Sequence, residues 1–143
     1  MAVSAAWYGK GLEALFGGAI DLDSDTFKIA LVTSAYSPNY DADDNFTVDI
    51  QGNEASGSGY SAGGATLASL AITVDGADNE VQWDADNVIW STSTVTARYA
   101  VVYDDTHATD MPIILVNFGE DKASSAGDFT ISFHADGIGK ASY

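Results

Sequence analysis

The sequence predicts a mainly β, single-domain fold: an antiparallel β-sandwich or small barrel of about seven or eight strands with one N-terminal helix. Three observations lead there. Apolar residues alternate with period two from Phe27 onward, turn residues recur at short intervals, and one stretch of helical spacing stands before Gly17-Gly18.

In chain order, residues 4–18 read as the helix. Trp7, Leu12, Leu15 and Phe16 recur at roughly helical spacing, Ser4 is placed as N-cap, and Gly17-Gly18 supplies a stop. Gly9 and Gly11 weaken it, each by up to ~1 kcal/mol in a helix interior. Residues 1–18 are accordingly expected to form a helical segment, either packed on the sheet of its own subunit or an arm that packs on a neighbour, and residues 19–143 the β-rich domain; as an arm, its removal leaves a folded body. Residues 27–33 read as a strand with Phe27, Ile29 and Leu31 on its buried face. A turn-rich stretch over 34–45, with Pro38 and several Asp residues, leads to a short strand over 46–50. The Gly/Ser-rich residues 52–64 read as an exposed loop.

Residues 67–74 place Leu70, Ile72 and Val74 on one strand face, and Asp75-Gly76 with Asp78-Asn79 marks a hairpin turn. Val81 and Trp83 belong to the next strand, Val88 and Trp90 to another. Residues 94–104 form the strongest strand, with Tyr99, Val101 and Tyr103 on one face and Arg98, Ala100 and Val102 on the other. Residues 113–118 are apolar at nearly every position, as in a strand covered on both faces. Residues 129–133 alternate cleanly.

Charge narrows the function. Five basic residues against 21 acidic ones give a formal net charge of −16 over 143 residues. Such a surface repels nucleic-acid phosphates, which are bound through Lys and Arg, and disfavours anionic membranes. Neither nucleic acid nor membrane is expected as a partner. Cysteine is absent, which removes disulfides and thiolate metal sites. The first residues lack a basic segment, Glu13 interrupts their apolar run, and no stretch reaches the ~20 apolar residues of a bilayer span. The expectation is a soluble chain made in a cytoplasm.

The residues that carry chemistry argue against an enzyme. The histidines are His107, in a polar loop, and His134, opposite the apolar face of its strand. No serine stands in a strand–turn–helix nucleophile motif. Paired acids abound through composition alone, whereas a glycosidase needs two of them facing across a cleft. Asp21, Asp23 and Asp25 open like an EF-hand loop, but Thr26 stands where glycine is required and Val32 where a glutamate belongs. Looser calcium ligation by Asp41, Asp43 and Asp44, or by Asp84 and Asp86, is weighed against solvated turn acids, and the latter are the default. The glycines at 57–64 lack the lysine and helix start of a phosphate loop. No catalytic, cofactor-binding or metal residue is assigned, and no cofactor is expected. Arg98, the single arginine, is expected to pair with a carboxylate, the same subunit being favoured over the next.

Several segments together carry a resemblance. They are Asp21-Leu22-Asp23-Ser24-Asp25-Thr26-Phe27-Lys28-Ile29-Ala30-Leu31-Val32-Thr33-Ser34, then Glu54-Ala55-Ser56-Gly57-Ser58-Gly59-Tyr60-Ser61-Ala62-Gly63-Gly64. Next come Ala97-Arg98-Tyr99-Ala100-Val101-Val102-Tyr103-Asp104-Asp105 and Phe118-Gly119-Glu120-Asp121-Lys122 with Gly127-Asp128-Phe129-Thr130-Ile131. In this order and spacing the chain resembles small structural proteins of tailed bacteriophages. The resemblance implies a virion component without catalytic residues: a head decoration (cement) protein or, as the alternative, a tail, neck or head-fibre part, including a receptor- or glycan-binding module. A compact domain without heptads favours decoration over a fibre shaft. The implied partners are copies of the chain, a trimer at a capsid threefold position, and the major capsid protein or another virion protein. Trp7, Tyr8, Leu12, Leu15 and Phe16 are expected to form the surface shared with a neighbour. A glycan-binding role would instead need Trp83 and Trp90 exposed near the 52–64 loop.

Overall fold

A computed structural model describes residues 3–143. They form ten strands and one α-helix: β1 (Ser4–Trp7), α1 (Gly9–Phe16), β2 (Phe27–Val32), β3 (Ala65–Thr66), β4 (Ala71–Asp75), β5 (Glu80–Asp84), β6 (Val88–Ser93), β7 (Thr96–Asp104), β8 (Met111–Ala123), β9 (Gly127–Ile131) and β10 (Gly139–Ser142). All pairings between them are antiparallel. A five-stranded sheet, β1-β8-β7-β2-β3, stands opposite a three-stranded sheet, β10-β5-β4, and a two-stranded one, β6-β9. The fold is mainly β and sandwich-like with one N-terminal helix, as the alternation predicts, and no sheet closes into a barrel among the described residues.

The main core lies between the sheets. Phe27, Ile29 and Leu31 of β2 meet Trp83 of β5, Trp90 of β6 and Phe129 of β9. Phe27 and Trp83 make an edge-to-face pair at 4.9 Å. Each such side chain contributes roughly 1.5–3 kcal/mol by leaving water. The other face of the large sheet is covered too. Ala30, Val32, Val101, Tyr103 and Leu115 pack beneath Tyr8, Tyr36, Phe46 and Ile50, with the Phe46 ring stacked on Tyr103 at 4.2 Å. Burial on both faces explains why β8 is continuously apolar from Met111 to Val116.

Four segments depart from the sequence reading. The helix predicted over 4–18 occupies only Gly9–Phe16. Ser4 is no N-cap; it opens β1, which pairs with β8 from Ser4↔Asn117 to Trp7↔Ile114. The helix begins after Tyr8, which is extended and makes no side-chain cap. Gly11 is what seats it, because a Cβ there would stand 2.5 Å from the Pro112 carbonyl oxygen. Residues 4–18 pack on their own subunit, the first of the two arrangements expected: Tyr8 is fully buried, and cutting at residue 18 would strip both an edge strand and a core side chain.

The expected strand at 46–50 is a π turn, followed by a 3₁₀ turn at Gln51–Asn53. Local side-chain bonds override the alternation: Asn45 Oδ1 accepts from the Val48 N–H, and Asp49 Oδ2 accepts from the N–H groups of Asp44 and Asn45.

The 52–64 stretch is largely an exposed loop, as expected, but it is tied down at several points. Glu54 Oε1 accepts from the Tyr60 hydroxyl and the Gly63 N–H, both at 2.6 Å. Tyr60 in turn accepts from the Leu31 N–H at 2.9 Å, and the Tyr103 hydroxyl donates to the Gly63 carbonyl at 2.6 Å. Gly64 lies in the left-handed region (φ 78°), where a Cβ would sit 1.9 Å from the Ile29 oxygen.

Finally, the strand expected over 67–74 is β4, shifted to Ala71–Asp75, and of the expected face only Leu70, just before it, packs on the core. Ile72 is 48% and Val74 65% exposed.

Candidate functional site

The residues expected to form a shared surface lie in different environments. Tyr8 does not belong to any surface: its ring is buried and its hydroxyl meets that of Tyr36 at 2.7 Å, while Tyr36 donates to Asp43 Oδ2 at 2.5 Å. Burial drives the Tyr8 and Tyr36 phenols far above their usual range, so both stay protonated as links in this chain of hydrogen bonds. Trp7 is half-buried, its indole against the backbone of Gly139. Leu12 is half-buried, and Leu15 leans on the main core. Phe16 alone of the set projects fully, at 86% exposure.

Arg98 has a carboxylate neighbour within the chain. Its guanidinium lies 3.7 Å from Asp121, which stands on the neighbouring β8. A bulge between Ala97 and Tyr99 turns it there and lets Ala97 join Ala100 and Val102 in the core. The contact is long and half-exposed, so it orients the side chain and adds little stability.

The groups that could do chemistry are dispersed. His107 is held in its loop by Thr109, whose N–H and hydroxyl approach Nδ1 at 3.3 and 3.1 Å. His134 is exposed beside Asp136. Asp21 Oδ1 accepts from the Asp23 N–H and Asp25 Oδ2 from the Asp21 N–H, which closes that acidic run into a turn leading to β2. Asp43 is taken by Tyr36 and Asn39, and Asp86 by the Ser69 hydroxyl. Among the described residues no three His, Asp or Glu side chains converge as metal ligands. No described helix is long and apolar enough to cross a membrane.

Two acids are buried among the described residues, Glu80 on β5 and Asp104. Asp104, at the end of β7, is fully buried; its Oδ1 accepts from the N–H groups of Thr106 and His107, while Oδ2 has no ordinary donor. Burial, aided by the adjacent Asp25 carboxyl, pushes it up to about 6, against those two N–H groups.

The sandwich is open along one side. Beyond the outer edge of β1 runs a groove of about 800 Å³ whose walls include Val3, Phe118, Phe129 and Ile138. A second hollow of about 390 Å³ shares Ala5, His134, Gly137 and Ile138 with it and continues past Trp7. At the far side of the molecule, β4 is likewise an outer strand with bare apolar side chains. Trp83 and Trp90 are 2% and 7% exposed, so neither offers the aromatic platform that glycan binding would need.

No protein-family model, curated protein or solved structure matches the chain significantly.

Proposed function

We propose that this chain is a non-enzymatic structural protein of a tailed-phage particle, placed on the head as a decoration (cement) protein that binds its neighbours through apolar contacts. The observation that carries the reading is the uncovered apolar surface on a strongly acidic protein. Phe16, Ile72 and Val74 stand in water although the net charge of −16 favours a fully polar exterior. A large side chain such as Phe16 gains its burial energy only when a partner covers it. The phage-like segments at 21–34, 54–64 and 97–105 support the same reading, and they fall on β2, the Glu54–Gly63 clamp and β7, the parts that brace the sandwich.

Acidity suits the outside of a DNA-filled shell, where the protein meets capsid and not genome. Repeated over a shell, apolar contacts at ~25 cal/mol per Å² add up to substantial reinforcement. The test is to locate the chain in purified particles by imaging and mass spectrometry. Many copies on the head surface are expected. A chain absent from particles overturns the proposal, and one confined to neck, tail or fibre overturns the decoration role.

A further inference from the structure

We propose that β4 of one copy adds as a strand to the open edge of β1 of another copy, filling the groove beside it. This rests on the reading of the chain as a self-assembling structural protein and names the surfaces that assemble.

Among the described residues both strands lack a partner on one side. β1 pairs only with β8, and β4 only with β5. Unpaired edges are normally guarded by Lys, Pro or a bulge within the strand, and neither Ser4–Trp7 nor Ala71–Val74 carries one. Their lengths agree: β1 has four residues, and the uncharged part of β4, Ala71 to Val74, has the same number, so each offers roughly 13 Å of backbone at ~3.4 Å per residue.

Side chains agree as well. The groove is walled by Val3, Phe118, Phe129, Ile131, Phe133 and Ile138 and lacks an apolar filling. β4 presents Ile72 and Val74, an alternate pair on one face, with 48% and 65% of their surface in water. β6, another outer strand, bares only Ile89 among its large apolar residues.

Charge selects the same pair. Lys122 and Asp128 line the first hollow, and Lys140 and Asp136, an ion pair at 3.0 Å, line the second, so the lysine and aspartate charges of the lining balance. On a molecule of net charge −16, such a strip is where an uncharged strand from an equally acidic copy can approach. The two surfaces differ, so the contact is head-to-tail and gives a ring or an open chain according to its rotation. Added salt should strengthen it by screening the repulsion between the acidic remainders.

The absence of native cysteine permits a direct test. Ala5→Cys and Thr73→Cys chains are mixed and treated with a short bis-maleimide, and sedimentation velocity follows self-association of the wild type and of the Ile72→Asp/Val74→Asp double variant. Cross-linked dimer is expected in the mixture well above either chain alone, with self-association weakened at least about tenfold in the double variant. Circular dichroism checks that the variant folds, and Ala5→Arg on the groove side provides a second disruption. A wild type that stays monomeric up to its solubility limit overturns the inference. So do self-association unaffected by the variants, and Ala5→Cys chains in intact particles that link only to a different virion protein. Presence on the head with no strand exchange leaves the decoration role standing, whereas strand exchange by a chain absent from particles removes that role and keeps the pairing.

Discussion

Asp104 and Asp25 hold their carboxyl groups side by side at the end of β7, with Asp104 fully buried and one of its oxygens lacking an ordinary donor. Protonation of Asp104 turns that oxygen into a donor toward Asp25. Lys28, paired in register with Tyr103 next to Asp104, is engaged by Asp105 at 3.1 Å.

The sign of the pH effect follows. Asp104 moves from 3.8 in the unfolded chain to about 6 in the fold, so between those values the native state holds more protons than the unfolded one. Stability therefore falls as pH rises through this window, by on the order of 2 kcal/mol. Asp104→Asn keeps an oxygen for the Thr106 and His107 N–H groups and offers Asp25 an amide donor. Urea denaturation at about pH 4 and about pH 8 should show the wild type losing stability across the interval. The variant should be more stable than wild type at the higher pH and lose most of the slope.

Tyr60 is the second point of leverage, because its hydroxyl donates to Glu54 and accepts from the Leu31 N–H. Tyr60→Phe leaves a buried strand amide without its acceptor and takes one of two donors from the half-buried Glu54 carboxylate. A loss of roughly 1–3 kcal/mol is expected. Hydrogen exchange should accelerate at Leu31 and Gly63, while amides of β9, on the opposite sheet, change little beyond the global loss. Equal acceleration everywhere would show that the clamp has no local role.

Gly11 sets helix propensity against packing. Alanine is favoured over glycine by up to ~1 kcal/mol within a helix, yet its Cβ would press to 2.5 Å from the Pro112 oxygen. Gly11→Ala should therefore lower the melting temperature, with a net cost of roughly 1–3 kcal/mol. A rise would mean that α1 can slide away from β8 without penalty.

The same competition between local and tertiary effects decides what could be read from the residues. β2, β7 and β8 were legible because their β-branched and aromatic residues cover both sheet faces. β1 and β10, Ser-Ala-Ala-Trp and Gly-Lys-Ala-Ser, have no alternation to reveal them. They are strands because β8 and β5 offer unsatisfied backbone groups. At Phe46–Ile50 the pattern was a strand's, but Asn45 and Asp49 bind the backbone locally and bend it into a turn. Asp104 was visible only as the last residue of a good strand. Its burial comes from the 21–25 turn and the 105–110 loop closing over it, neither of which has a periodic signal.

Phe16 separates assembly from folding. At 86% exposure it gives the isolated chain little, so Phe16→Ser should change stability by no more than about 0.5 kcal/mol. Leu15, one residue earlier, leans on the main core, and Leu15→Ala should cost roughly 1–3 kcal/mol, in the lower part of the range for buried leucines. If a neighbour in the particle covers Phe16, the ranking reverses there: occupancy should drop sharply for Phe16→Ser, whereas Leu15→Ala chains that fold should still be incorporated. Melting curves and quantitative mass spectrometry of particles assembled with each variant measure the two effects separately. Full incorporation of Phe16→Ser would show that this side chain does not face a partner and would leave the sheet edges as the surfaces to be tested.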